Sequence, residues 1–107
     1  MGVTKKFGFA FRINELADIL KAMGNPARLK IIQFLMANTS ANATEILHVL
    51  PLAQSTVSKH LADLKRVKFL NAKIKGSAIY YSINEKTWNK FQDFLKSEIS
   101  IDYDLEK

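Results

Sequence analysis

The sequence contains no cysteine, and this single absence removes several kinds of chemistry. A disulfide framework, a thiolate zinc site, a thiol redox switch and a cysteine nucleophile are all excluded. Histidine is scarce as well: His48 and His60 are the only two, too few for a histidine metal cage, and each reads as a surface or packing residue. Proline and glycine fall singly at what look like element ends, with no linker, repeat or low-complexity tract. No apolar run approaches the roughly 20 residues that a membrane helix requires. The opening MGVTKKFGFAFR lacks the apolar centre of a signal peptide, so a soluble, cytoplasmic chain without a membrane partner is expected. There is no glycine-rich phosphate loop, no nucleophile beside a base and no recognisable carboxylate pair. Catalytic residues, a bound metal and cofactors are therefore not expected.

What remains is a chain of 107 residues, 48% hydrophobic and 24% charged, which suits one packed domain spanning residues 1–107. Its net charge of +6 is unevenly placed. Residues 1–75 carry twelve Lys/Arg against four Asp/Glu, whereas residues 76–107 carry four against six. Between residues 51 and 75, Lys59, Lys65, Arg66, Lys68, Lys73 and Lys75 face only Asp63. A localised cationic surface favours a polyanionic partner, although many basic surfaces serve solubility alone.

Punctuation marks the elements. Ile13, Leu16, Leu20 and Met23 recur at helical spacing and stop at Gly24. Asn25 is a good N-cap and Pro26 a good first helical residue, ahead of an apolar face of Leu29, Ile32 and Leu35/Met36. Asn42 and Glu45 have capping-box spacing before Ile46, Leu47, Val49 and Leu50, and Pro51 ends that short helix. A fourth helix is expected from about Ala53 to Val67. Val57, Leu61, Leu64 and Lys68 line one side of it, and Ser55, Ser58, Lys59, Ala62 and Arg66 the other. The period then becomes alternating: Leu70, Ala72 and Ile74 oppose Asn71, Lys73 and Lys75. Gly76-Ser77 fits a hairpin turn with glycine first, and residues 78–83 return, with Tyr80 and Tyr81 on opposite faces. Asn84 and Glu85 open a last helix, whose band of Trp88, Phe91, Phe94, Leu95 and Ile99 is wider than a hairpin can cover. That surplus calls for a partner.

The order α-α-α-α-β-β-α is the winged helix-turn-helix plan, a mainly α fold with a β-hairpin wing. Only Pro51 and Leu52 or so separate the third and fourth helices, as in a helix-turn-helix pair. In that plan the N-terminal end of the fourth helix enters the major groove. Gln54, Ser55, Thr56, Ser58 and Lys59 stand there: Gln can pair with adenine, Ser and Thr can read several base edges, and Lys can reach guanine or phosphate. A solvated helix face would also be polar and basic. Lys73 and Lys75 point from the wing toward phosphates or a minor groove, or simply guard an edge strand. Ala53 is a poor cap, leaving backbone amides that a DNA phosphate can occupy.

The stretches LADILKAMGNPARLKIIQFL, LPLAQSTVSKHLADLKRVKFL and IKGSAIYYSI resemble the ArsR/SmtB family of bacterial winged-helix repressors over residues 16–83, with QSTVSKHL the most specific part. The resemblance implies a homodimer on an inverted-repeat DNA operator, released by an inducer that is often a metal ion. It places Gln54, Ser55, Thr56, Ser58, Lys59 and His60 on or beside the DNA-reading helix. It also implies that the first and last helices form the dimer interface, where Leu16, Leu20, Trp88, Phe91, Leu95 and Ile99 stand. Asn42 and Thr44 occupy the positions of the family's CxC metal ligands, and residues 84–99 contain no histidine for its second site. Soft-metal sensing is therefore not expected, and the inducer is not identified. The alternatives are a winged-helix protein-interaction module and a sensor with oxygen and nitrogen ligands. Phe7, Phe9 and Phe11 form an arm over the partner subunit or enter the core. The tail IDYDLEK is acidic and expected to fray.

Overall fold

The structure, a computed structural model, describes residues 11–99. Helix α1 (Phe11–Met23) is followed by α2 (Pro26–Ala37), strand β1 (Ala41–Asn42), α3 (Ala43–Leu47), α4 (Gln54–Arg66), β2 (Leu70–Lys75), β3 (Ala78–Ile83) and α5 (Glu85–Glu98). The expected winged helix-turn-helix order is present. The strands form an antiparallel sheet in the order β1-β3-β2. Among the described residues no helix is long and apolar enough to cross a membrane. The Phe7/Phe9 segment and the acidic tail lie outside the described residues.

Local chemistry explains most boundaries. Asn25 Oδ1 accepts from the amides of Ala27 (2.8 Å) and Arg28 (3.3 Å) as Pro26 opens α2. Asn42 and Glu45 complete a reciprocal capping box at α3, each backbone amide donating to the other's side chain at 2.9 Å. Asn84 Oδ1 accepts from the Thr87 amide at 3.2 Å to start α5. Gly76 has φ +63 while Ser77 does not adopt positive φ, as a hairpin turn with glycine first requires.

Ile31, Ile46, Val57, Leu61, Leu64 and Phe69 form the centre of the core, with Phe69 edge-on to Trp88 (5.8 Å) and Phe91 (6.2 Å). Helices α1 and α5 run antiparallel: Arg12 Nη2 donates to Ser97 Oγ at 2.9 Å, and Lys90 Nζ donates to Glu15 Oε2 at 2.8 Å.

The expected helix faces require rotation. α1 buries Leu16, Ile19 and Ala22 and leaves Leu20 exposed; α2 buries Ile31, Ile32 and Leu35 and leaves Leu29 and Met36 exposed. Both helices offer more apolar residues than one face can use, so spacing alone does not fix the phase. Helix α3 ends at Leu47, leaving Val49 exposed, and residues 48–53, rather than Pro51 and Leu52 alone, connect it to α4. β1, too short to show a period, pairs Ala41 with Tyr81 and Asn42 with Tyr80.

Lys68 does not extend the apolar stripe of α4 either. It has φ 64 and sits past the helix end in a Schellman turn: its amide donates to Lys65 O at 2.8 Å and that of Phe69 to Leu64 O at 3.0 Å. A side chain in this left-handed conformation carries a steric cost that glycine does not. Lys68→Gly is expected to stabilise the fold by about 0.5–1 kcal/mol, the relief of that strain exceeding the added freedom of the unfolded chain. Urea denaturation checks this, and a lower midpoint for the variant contradicts it.

Candidate nucleic-acid interface

Helix α4 buries Val57, Leu61 and Leu64 and presents its first two turns outward. Gln54, Ser55, Thr56, Ser58 and Lys59 are all exposed there, on one end of one helix. Ala53 occupies the N-cap with φ −69 and ψ 150 and supplies no side-chain acceptor. The first turn of α4 thus lacks the side-chain cap that Asn25, Asn42 and Asn84 give α2, α3 and α5.

The inner edge of the same helix carries an ionic cluster. Asp63 is 8% exposed, the only buried charged residue among those described. Arg28 of α2 donates through Nη2 to Asp63 Oδ2, through Nε to His60 Nδ1 at 2.9 Å, and through Nη1 to the Ala22 carbonyl of α1 at 3.0 Å. Arg66 Nη1 donates to Asp63 Oδ1 at 2.7 Å, and Lys59 Nζ lies 3.4 Å from Oδ2. One guanidinium therefore joins three helices. Since arginine can only donate, His60 Nδ1 must be unprotonated and the neutral ring carries its proton on Nε2.

The wing lies C-terminal to α4. Lys73 and Lys75 are exposed on β2, on the face shared with Tyr80, and Lys75 Nζ sits 5.4 Å from that ring centroid. Tyr81 is on the opposite face and packs against the core.

The sequence profile described as "Bacterial regulatory protein, arsR family" matches residues 25–71, spanning α2, α3 and α4. The transcriptional repressor PagR of Bacillus anthracis is 47% identical over 72 residues, 67% of this chain and 72% of that protein. This chain belongs to the ArsR family. Its crystal-structure neighbours agree: PagR superposes with a TM-score of 0.64 at 40% identity, covering 79% of this chain and 93% of that one. HlyU of Vibrio cholerae gives 0.69 at 25% identity over 86% of this chain and all of that one. As an ArsR-family protein the chain is a DNA-binding transcriptional regulator and not an enzyme.

In this ArsR-family chain Asn42 and Thr44 present no thiolate to a soft metal. Asn42 offers an amide oxygen already committed to the Glu45 amide, and Thr44 offers a hydroxyl. Among the described residues, no three His, Asp or Glu side chains are grouped to hold a metal ion. Of the residues expected at a dimer interface, Leu16 and Phe91 are buried within the single chain. Leu20 is 40% and Ile99 58% exposed, and Trp88 and Leu95 are half-buried against the core. His60 stands apart from the other reading-helix residues, being half-buried and turned toward Arg28. Arg28 and Asp63 were not expected as site residues. The spacing of Lys59, Asp63 and Arg66 at i, i+4 and i+7 was a legible signal for part of the cluster.

The two titrating members of the cluster respond to it in the same direction. Burial holds His60 below its ordinary 6.5, the charges of Arg28 and Lys59 add to this, and Asp63 opposes them. The Arg66 hydrogen bond holds Asp63 below its ordinary 3.8, against burial and with help from the Lys59 and Arg28 charges. A lowered native value means that the unfolded chain binds the proton more readily. The His60 contribution to stability is thus complete above pH 6.5 and is lost as pH falls toward the native value. That of Asp63 is complete above 3.8 and fades only below it. Chemical denaturation between pH 7.5 and 5 is expected to give a falling stability that flattens in His60→Gln, whose amide oxygen still accepts from Arg28. Equal pH slopes in the two proteins contradict the assignment.

Proposed function

We propose that residues 1–107 form one cytoplasmic unit that acts as a homodimeric repressor on an inverted-repeat operator, without the cysteine metal site of its family. The observation that carries the DNA contact is the outward N-terminal half of α4. Five exposed polar side chains surround amides with no side-chain cap, a surface suited to base edges and a phosphate together. Gln54, Ser55, Thr56 and Ser58 read bases. Lys59, Lys73 and Lys75 meet phosphates, and His60 acts from behind by holding the helix to Arg28.

Dimerisation is supported by apolar surface open among the described residues. Leu20 and Ile99 are exposed on α1 and just beyond α5. Nearby, Met23, Leu29, Ile32, Met36 and Trp88 line an open apolar groove. A two-fold axis relating these faces sets the two recognition helices about 34 Å apart, one turn of duplex. PagR, the relative described above, is itself named a transcriptional repressor, which supports the direction of control.

Fluorescence anisotropy on duplexes selected from a randomised pool tests this reading. Gln54→Ala is expected to cost about 1–3 kcal/mol on the selected site and to relax the preference for one base. Lys59→Ala is expected to weaken all sequences alike and reduce the salt slope by about one. Selection that yields no sequence preference, or light scattering that gives a monomer, overturns the proposal.

A further inference from the structure

A cleft of about 430 Å³ opens where α2 ends and α5 begins. Its size lies within the range of about 300–1,000 Å³ that suits a small organic ligand. Leu35 of α2 and Ile83 at the end of β3 make its apolar part, Asn38 and Thr39 supply an amide and a hydroxyl, and α5 contributes the carboxylate of Glu85 and the indole of Trp88. The cleft shares Met36, Ala37 and Trp88 with the apolar groove described above, but no charged residue is among the described residues that line that groove.

Local charge decides what the cleft can hold. The whole chain carries +6, yet no lysine or arginine is among the described residues that line it. Glu85 is exposed and has no hydrogen-bond or ion-pair partner among the described residues. Helix α2 brings its carbonyl end to the cleft with no basic residue in its last turn, and the backbone leaves the helix at Asn38 with φ −129 and ψ 139. Asn38 Nδ2 donates to the Phe34 carbonyl there at 2.8 Å. That end carries about half a negative charge, and the N-terminus of α5 about half a positive one. The two helix ends offset each other, and Asn84 Oδ1 already accepts from the Thr87 amide of α5 at 3.2 Å. The Glu85 carboxylate is what remains, so the cleft attracts a cation.

Trp88 adds a second attraction of the same sign, because indole is the best aromatic partner for a cation. Its ring is stacked on Phe91 at 5.8 Å and 28°, and Phe69 stands edge-on to it. The indole is thus held in place by the core, and the part of it that lines the cleft is not the face against Phe91. We propose that this cleft is a binding site for a small organic cation, an ammonium group carried on an apolar or aromatic body. The ammonium meets Glu85 and the indole, and the body lies against Leu35 and Ile83. A bare metal ion does not suit the site: one carboxylate replaces too little of its hydration, and no three His, Asp or Glu side chains are grouped among the described residues.

Trp88 is the one tryptophan of the chain, so its fluorescence reads the cleft directly in the full-length protein without DNA. Benzyltrimethylammonium is titrated as the probe at constant ionic strength, beside phenylmethanesulfonate, an anion of similar shape. A saturable change in emission is expected with the cation and none with the anion. Glu85→Gln keeps the size of an exposed side chain and is expected to weaken the cation roughly fivefold. Calorimetry on Trp88→Phe is expected to show a loss of roughly threefold or more. Should Trp88→Phe melt early, Glu85→Gln decides alone. The proposal is overturned if the cation gives no saturable signal up to about 10 mM, if the anion binds as well as the cation, or if Glu85→Gln binds the cation as the parent does. Because DNA is absent from these measurements, a parent protein that prefers no operator sequence defeats the α4 reading and leaves this one standing.

Discussion

Arg28 is the point on which the geometry of α4 turns. A helix that presents its outer face to a polyanion has little apolar surface left with which to hold itself down, and α4 has only Val57, Leu61 and Leu64 fully buried. A stripe that narrow fixes the helix against the core but leaves its roll poorly determined. The guanidinium supplies the missing constraint by bonding Asp63 and His60 on α4 and the end of α1 at once. The side chains of Arg28 and Asp63 are 15% and 12% exposed, whereas those of Lys59 and Arg66 are 74% and 70% exposed. The first pair is desolvated and directional, and the other two are screened by water. What the buried pair contributes is therefore an orientation, with the net stability a secondary matter.

The same acid explains how a small basic chain sorts its charges. Asp63 draws Arg28 inward and takes up part of the charge of Lys59 and Arg66. The wing lysines Lys73 and Lys75 remain exposed, and the start of α4 keeps no side-chain cap. At the other end, α1 and α5 settle their charges locally, with Glu15 paired to Lys90 and Arg12 close to Ser97 and Glu98. Among the described residues, the α4 and wing region is thus cationic, whereas charge along α1 and α5 is largely balanced.

Which of these features the sequence discloses follows from how local each one is. Caps are local, and Asn25, Asn42 with Glu45, and Asn84 all act as their spacing implies. The change of period after Phe69 is local as well, and it marks the wing within a residue of its bounds. Helix phase is not local. Ile19 and Leu20 are equally apolar, and only the packing of α1 against the rest of the chain decides that the first is buried. The bonds from Arg28 to His60 and Asp63 span 32 and 35 residues, and no periodicity reports a contact at that range. His60 shows the consequence. Its place in QSTVSKHL suggests DNA, while its half-buried ring turns to Arg28.

Among the described residues, two stretches of open apolar surface differ in kind. Around Leu20, Leu29, Met36 and Trp88 it is broad, bordered by a groove, and distant in sequence from the basic stretch. This is the setting in which one protein surface buries another. At Ile74 and Ile79 it is two side chains wide, backed by lysines on a thin hairpin. So narrow a ridge has too little area for a stable protein interface. Surface chemistry thus separates a broad apolar face from a narrow apolar ridge on a basic hairpin.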